Sequence, residues 1–212
     1  VPSGRRPLTP VDVRSAAEWA TGVLAAVPAG AWAAPVGEWT ARRVLDHIVD
    51  ALLFHAALVS RRATGRVTPP RNGDPTATPA DLLDALTGAA AVHAAVLAEL
   101  GDGERAFHPA GRADREGWVG IACTEVLVHT ADIAGATGTP LPEVPGDLAD
   151  AVVERVLPWT PPHRDGWARL LQATGRRSLG DVPPPAADWW WQAAPLGEWD
   201  GTPRRRTVPP QW

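Results

Sequence analysis

Through the first two-thirds of the chain, apolar residues recur at helical spacing in four stretches broken by Pro- and Gly-rich segments. The first stretch opens at Thr9-Pro10, a capping residue followed by proline at the first helical position. It predicts a helix running to about Val27. After a turn from Pro28 to Gly37, a second helix is predicted from Thr40 to about Ala63. Val44, Leu45, Ile48, Leu52 and Val59 recur along one side of it. Residues 64–77 carry three prolines together with Asn72-Gly73 and Asp74-Pro75, and predict a loop. Thr78-Pro79 starts a third helix that runs to about Leu100. A loop from Gly101 to about Ala113 leads to the fourth, Arg115 to Ala136, which Gly138 and Pro140 terminate. Each helix spans roughly 30 Å, and no segment of residues 9–138 alternates in the manner of a strand. The expectation is an all-α four-helix bundle.

The last third changes character. Helical pieces are expected at 146–157 and 163–174, but Pro183-Pro184-Pro185 and Pro209-Pro210 interrupt the remainder. Seven of the eleven tryptophans lie between Trp159 and Trp212, Trp189-Trp190-Trp191 among them. So much indole surface favours burial, so the expectation is a bundle over residues 1–140 with an extension, 141–212, packed on it.

Composition narrows the chemistry. Hydrophobic residues make up 45% and charged residues 21% of the 212, an ordinary globular balance. The net charge of −4 offers no footprint for nucleic acid. No stretch of about 18 uninterrupted apolar residues suggests a membrane span, and the start lacks the pattern of a secretory signal. These features read as a cytoplasmic protein. All twenty basic residues are arginine, and there is no lysine, tyrosine or methionine. Schiff-base, Walker-lysine and phenol-acid mechanisms are therefore excluded. The lone Cys123 rules out an internal disulfide or a multi-cysteine zinc site. Heavy use of Ala, Arg, Gly and Pro without Lys points to a GC-rich, actinobacterial genome.

One constellation stands out in the fourth helix, Glu125-Val-Leu-Val-His129-Thr-Ala-Asp132. At 100° per residue Glu125 and His129 lie about 40° apart, and Asp132 returns to within about 20° of Glu125. A carboxylate, an imidazole and a carboxylate on one stripe suit a divalent metal. The competing reading is a solvated stripe whose Glu and His bond across one turn. His47 of the second helix supplies a third ligand if the two helices face each other, as bundle metal sites require. Otherwise it is a histidine at the edge of the core.

Trp39-Thr40-Ala-Arg-Arg-Val-Leu-Asp-His47-Ile-Val-Asp50, taken with Glu125-Val-Leu-Val-His129-Thr-Ala-Asp132-Ile, resembles the DinB-like metalloenzyme superfamily, and more narrowly its mycothiol-dependent maleylpyruvate isomerase branch. The resemblance covers about residues 9–138. It implies His47, Glu125 and His129 as ligands of zinc or another divalent metal, with a low-molecular-weight thiol such as mycothiol as cofactor or co-substrate. The reactions implied are isomerisation or S-transfer on a small-molecule substrate. Beyond residue 140 the tail, with Ala173-Thr174-Gly175-Arg176 and Ala194-Pro195-Leu196, looks like the carboxy-terminal extension of related actinobacterial proteins. The rivals are a metal-dependent hydrolase on the same ligands and a non-enzymatic binding bundle.

Other side chains take secondary roles. Asp50 and Asp132, each three residues after a histidine ligand, are candidate proton handlers or partners of those ligands. Cys123, about 200° round the helix from Glu125, should pack away from the site. His108 reads more readily as a surface histidine than as part of the site, and His55, His93 and His163 as structural. An anionic substrate or thiol calls for an arginine, and Arg43, Arg62, Arg112 and Arg115 fall near the expected mouth. Arg204-Arg205-Arg206 reads as a solvated tail.

Overall fold

A computed structural model describes residues 5–68, 71–144 and 146–206; Pro209-Pro210 and Trp212, invoked above, lie outside the described residues. The protein is mostly helical. Four long helices, α1 (Pro10–Leu24), α2 (Ala41–Ser60), α3 (Pro79–Ala98) and α4 (Arg115–Thr137), are followed by the shorter α5 (Leu148–Val156) and α6 (Gly166–Ala173).

The caps are built from the residues that the chain places there. The Thr9 N–H donates to Asp12 Oδ2 at 2.7 Å, and Thr78 and Asp81 form the reciprocal pair at the start of α3. Thr40 Oγ1 accepts from the Arg43 N–H, and Asp114 Oδ1 from the Gly117 N–H at 2.8 Å. The second helix ends at Ser60 rather than Ala63. Arg62 turns left-handed at φ 45°, and the Ala63 N–H returns to Leu58 O at 3.0 Å, closing the helix. The first ends at Leu24 rather than Val27, with a single-turn connection taking over.

Two hairpins depart from the purely helical expectation. β1 (Pro35–Val36) pairs with β2 (Trp39–Thr40), and β3 (Ala106–His108) with β4 (Gly111–Ala113), both antiparallel. Strands of two or three residues are too short to register as alternation. They matter nonetheless, because the first presents Trp39 and the second turns His108 inward.

Helices α1 and α2 each pack against both α3 and α4. Leu45, Ile48, Leu52, Leu86, Ile121 and Leu127 are fully buried between them, each worth about 2 kcal/mol of burial. By length and composition α3 and α4 could each cross a membrane, and here both contribute to the protein core.

The extension lies on α4 through α5. Two glycines permit the approach: a methyl at Gly120 would fall 2.6 Å from Val156, and one at Gly117 would strike Ala193 O and Arg155. Past α6 the chain returns, with the Gln192 N–H bonded to Val156 O at 2.8 Å, and buries Trp191 and Ala193. Trp167 of α6 meets Trp19 of α1 edge-on at 6.0 Å. The described part of the tail is thus packed: Arg204 bonds Gln192 and Asp200, and Arg206 bonds Ala187 O, whereas Arg205 stays exposed in its pair with Asp188. The expectation of a solvated run holds for Arg205 and fails for Arg204 and Arg206, which are half-buried against the returning chain.

Candidate metal centre

Helices α2 and α4 bring His47, Glu125 and His129 together. The inward stripe of α2 carries His47 between Leu45 and Ile48, and one face of α4 carries Glu125 and His129 a turn apart. His47 Nε2 lies 3.5 Å and His129 Nε2 3.2 Å from the same oxygen, Glu125 Oε2. The three ligand atoms all fall within 4.8 Å of one another. His47 is 7% and Glu125 6% exposed, so this carboxylate has been taken out of water. The two imidazoles meet at 83°, their centroids 5.2 Å apart.

The donor set fits a divalent ion. Glu125 Oε2 is buried and makes no well-aligned hydrogen bond, although two ring nitrogens face it from two helices. Convergence of imidazole nitrogens on an unsatisfied carboxylate oxygen is what a small cation resolves. Without one, protons take over its role. Burial works to raise the Glu125 pKa, but His129 and His47 outweigh it and hold the carboxyl well below its ordinary value. Burial likewise works to lower the His129 pKa, but Asp132 and Glu125 carry it up to about 9.

Asp132 joins this site and Asp50 does not. Asp132 Oδ2 lies 3.1 Å from His129 Nδ1, the nitrogen turned away from the cluster. Asp50 faces the loop of residues 64–77, 3.1 Å from Arg71 Nη1 and 3.7 Å from Arg43 Nη1. Burial and neighbouring Asp46 raise its pKa against the pull of Arg71 and Arg43. Its surroundings are those of a loop anchor.

A cavity of about 180 Å³ opens over the cluster, walled by Trp39, Trp189, Trp190 and Trp191 and carrying Arg176 and Arg206. Drug-sized ligands usually take about 300 Å³ or more, so this space suits the reacting end of a ligand. None of the four arginines expected at the mouth lines it. Arg43 lies over Trp39 and beside Asp46 and Asp50, Arg62 pairs with Glu104, Arg112 reaches Arg105 O, and Arg115 binds Leu100 O. Their side chains are engaged elsewhere, and the pocket's cations come instead from the extension. The tryptophan triplet was the signal that could have located this wall.

Two further expectations resolve here. Cys123 is fully buried away from the cavity, and burial pushes its thiol pKa far up. His108 is not on the surface: β3 turns it inward, where its Nδ1 accepts from the Ala110 N–H at 3.0 Å. It joins His55 and Trp118 at ring distances of 5.5 and 5.1 Å.

Residues 13–134, more than half of the chain, match the family described as the mycothiol maleylpyruvate isomerase N-terminal domain. The chain belongs to that family. The matched segment contains the three clustered residues and ends before the extension. Among curated proteins it is similar to an uncharacterized protein recorded in two strains of Mycobacterium tuberculosis. Identity is 32% over 105 residues in each case, 49% of this chain and 52% of the relative. The chain therefore spans about half the length of the curated relatives it matches. No solved structure matches it.

Proposed function

We propose that this mycothiol maleylpyruvate isomerase family member is a zinc-dependent, thiol-using enzyme, an isomerase or S-transferase, built on a DinB-like four-helix bundle. What carries the reading is one observation: a His–Glu–His cluster, with His47 and Glu125 buried and His129 half-buried, opens on a tryptophan-walled cavity lined, among the described residues, by no cysteine, lysine or serine nucleophile. His47, Glu125 and His129 would hold the ion. A divalent ion bound there supplies a Lewis acid that favours the deprotonated form of a thiol, and so a nucleophile at neutral pH.

The chain's own residues do the rest. Asp132 accepts from His129 Nδ1 and aims the opposite nitrogen into the cluster. Trp39, 5.0 Å from the His47 ring, and the triplet Trp189–Trp191 exclude water from the reacting end of the ligand. Arg206 offers a positive charge at the rim to an anionic substrate. The small thiol provides the sulfur, consistent with the absence of a protein thiol in the cavity.

Metal analysis of the untagged protein, followed by titration of the zinc form with mycothiol, tests the reading. One zinc per chain and saturable thiol binding with proton release are expected. Zinc without thiol binding would favour a hydrolase on the same ligands. Absence of a bound divalent metal would favour a binding protein.

A further inference from the structure

Arg176 lies outside the segment that matches the family, on the turn that ends α6, yet it touches the site through one intermediary. Its Nη2 is 2.7 Å from Asp132 Oδ2 and its Nε 3.2 Å from Asp132 Oδ1, so it grips both carboxylate oxygens. Asp132 Oδ2 is also the atom 3.1 Å from His129 Nδ1. An ionised carboxylate only accepts, so this contact requires a proton on Nδ1; in the neutral imidazole that a metal ligand must be, the lone pair is then on Nε2, facing the cluster.

The guanidinium is itself held. Gly175 turns left-handed at φ 85°, the Arg176 N–H returns to Leu171 O at 2.8 Å, and Arg176 Nη1 donates to Thr174 O at 2.6 Å. A fixed arginine, gripping a carboxylate at two points, fixes the carboxylate's plane. That plane sets the orientation of the imidazole.

We infer that Arg176 is a positioning residue for the metal site, acting through Asp132 to hold His129 in its ligand orientation. The inference rests on the reading of His47, Glu125 and His129 as metal ligands. It makes the extension part of the metal centre without supplying a ligand to it. The Arg176 and Asp132 side chains are 28% and 18% exposed, so the pair is only partly screened by water and its loss also costs some stability. A purely structural role would not lower zinc affinity in a way that vanishes once Asp132 is neutralised.

The test is a double-mutant cycle on the full chain, with zinc affinity read by competition against a chromophoric chelator. Arg176→Gln should weaken zinc binding about tenfold, the lower end for losing an outer partner of a ligand. Arg176→Lys should restore only part of this, because an ammonium cannot span both oxygens. Asp132→Asn should also weaken binding, and adding Arg176→Gln to it should cost nothing more. Arg177→Ala, at the exposed neighbour, serves as the control and should change nothing. Parent-like affinity in Arg176→Gln, or the same loss on the Asp132→Asn background, would overturn the inference while the metal reading stood. A parent chain that binds no zinc would overturn both.

Discussion

Arg155, fully buried on α5, closes on Asp114 Oδ1, the same atom that accepts the Gly117 N–H and caps α4. Its Nε is 3.3 Å from Glu116 Oε2, and its Nη1 donates to Gln192 O at 3.0 Å. One side chain thus joins α5, the start of the ligand-bearing helix and the strand-like return that carries the tryptophan triplet. Arg155→Leu takes the guanidinium away from two half-buried carboxylates, Asp114 and Glu116, and from the Gln192 carbonyl. Losing hydrogen bonds to charged groups typically costs about 1.5–3 kcal/mol. Urea denaturation should record a drop of this size, and one under about 1 kcal/mol would show that the fold does not depend on the junction.

The metal reading makes a direct prediction about ligand removal. Saturating zinc should raise the melting temperature of the parent, since an ion at a thousandfold excess over its Kd contributes about 4 kcal/mol. Glu125→Gln keeps the shape of the side chain and removes its charge. It should lose at least the roughly 100-fold in affinity that even an outer hydrogen-bond partner can carry. Equal zinc-induced shifts in both proteins would exclude Glu125 as a ligand.

The legibility of this site depended on how each residue is held. Glu125, His129 and Asp132 were readable because one rigid helix fixes their spacing, and no tertiary information was needed to align them. His47 required only that α2 face α4. Asp50 looked equivalent to Asp132, and the difference came from Arg71, whose loop carries no periodic signal. Arg176 stands 44 residues beyond Asp132, and Arg206 is part of a run that reads as solvent-facing. Their placement follows from how the extension folds back, which depends on glycine contacts at 117 and 120 and on Arg155. The hairpin that buries His108 was hidden for a simpler reason: three residues leave too little alternation to detect.

The second histidine group should govern acid stability. Burial, the repulsion of neighbouring histidines adding to it, depresses His55 to about 3 and His108 well below its ordinary value; burial alone takes His93 to about 3. Below the unfolded pKa near 6.5 the unfolded chain binds more protons than the folded one, so stability falls as pH drops. Each histidine should contribute up to about 1 kcal/mol per pH unit between pH 6.5 and 5, above the range of the carboxylates. His129, raised to about 9, acts at the other end: its contribution is complete below pH 6.5 and is lost as pH rises through 9. Both His93 nitrogens are buried without a hydrogen bond, so His93→Phe should flatten the acid slope. Denaturant titrations with chelator at pH 7.5, 6 and 5 check this, and an unchanged slope would exclude His93.

Cys123 offers a negative prediction. Its thiol is buried and held far from the thiolate form, on the side of α4 away from the cavity. Iodoacetamide should leave it unmodified in the native protein. Cys123→Ala should cost about 1 kcal/mol, typical of a small core truncation, and, on the proposed function, leave the thiol-dependent turnover expected of the parent intact. Loss of turnover with zinc still bound would return the nucleophile to the protein.

Arg206 is the residue expected to read the charge of the ligand. Its guanidinium lies 5.5 Å from the centre of the Trp190 ring, its Nη2 donates to Ala187 O at 3.2 Å, and it lines the cavity. Arg176, the other cation there, is already engaged by Asp132, whereas no carboxylate pairs with Arg206 among the described residues. A ligand carboxylate would complete it. A hydrogen bond to a charged group contributes about 1.5–3 kcal/mol, so Arg206→Gln should weaken binding of a small dicarboxylate such as maleate by roughly tenfold or more. Zinc affinity should not change, because Arg206 touches none of the three ligands. Arg205→Gln, which removes only the exposed pair with Asp188, should bind the dicarboxylate as the parent does. Calorimetric titration of the three zinc-loaded proteins decides it: equal affinities across all three would place anion recognition elsewhere, and a parent that ignores maleate would point to an uncharged ligand.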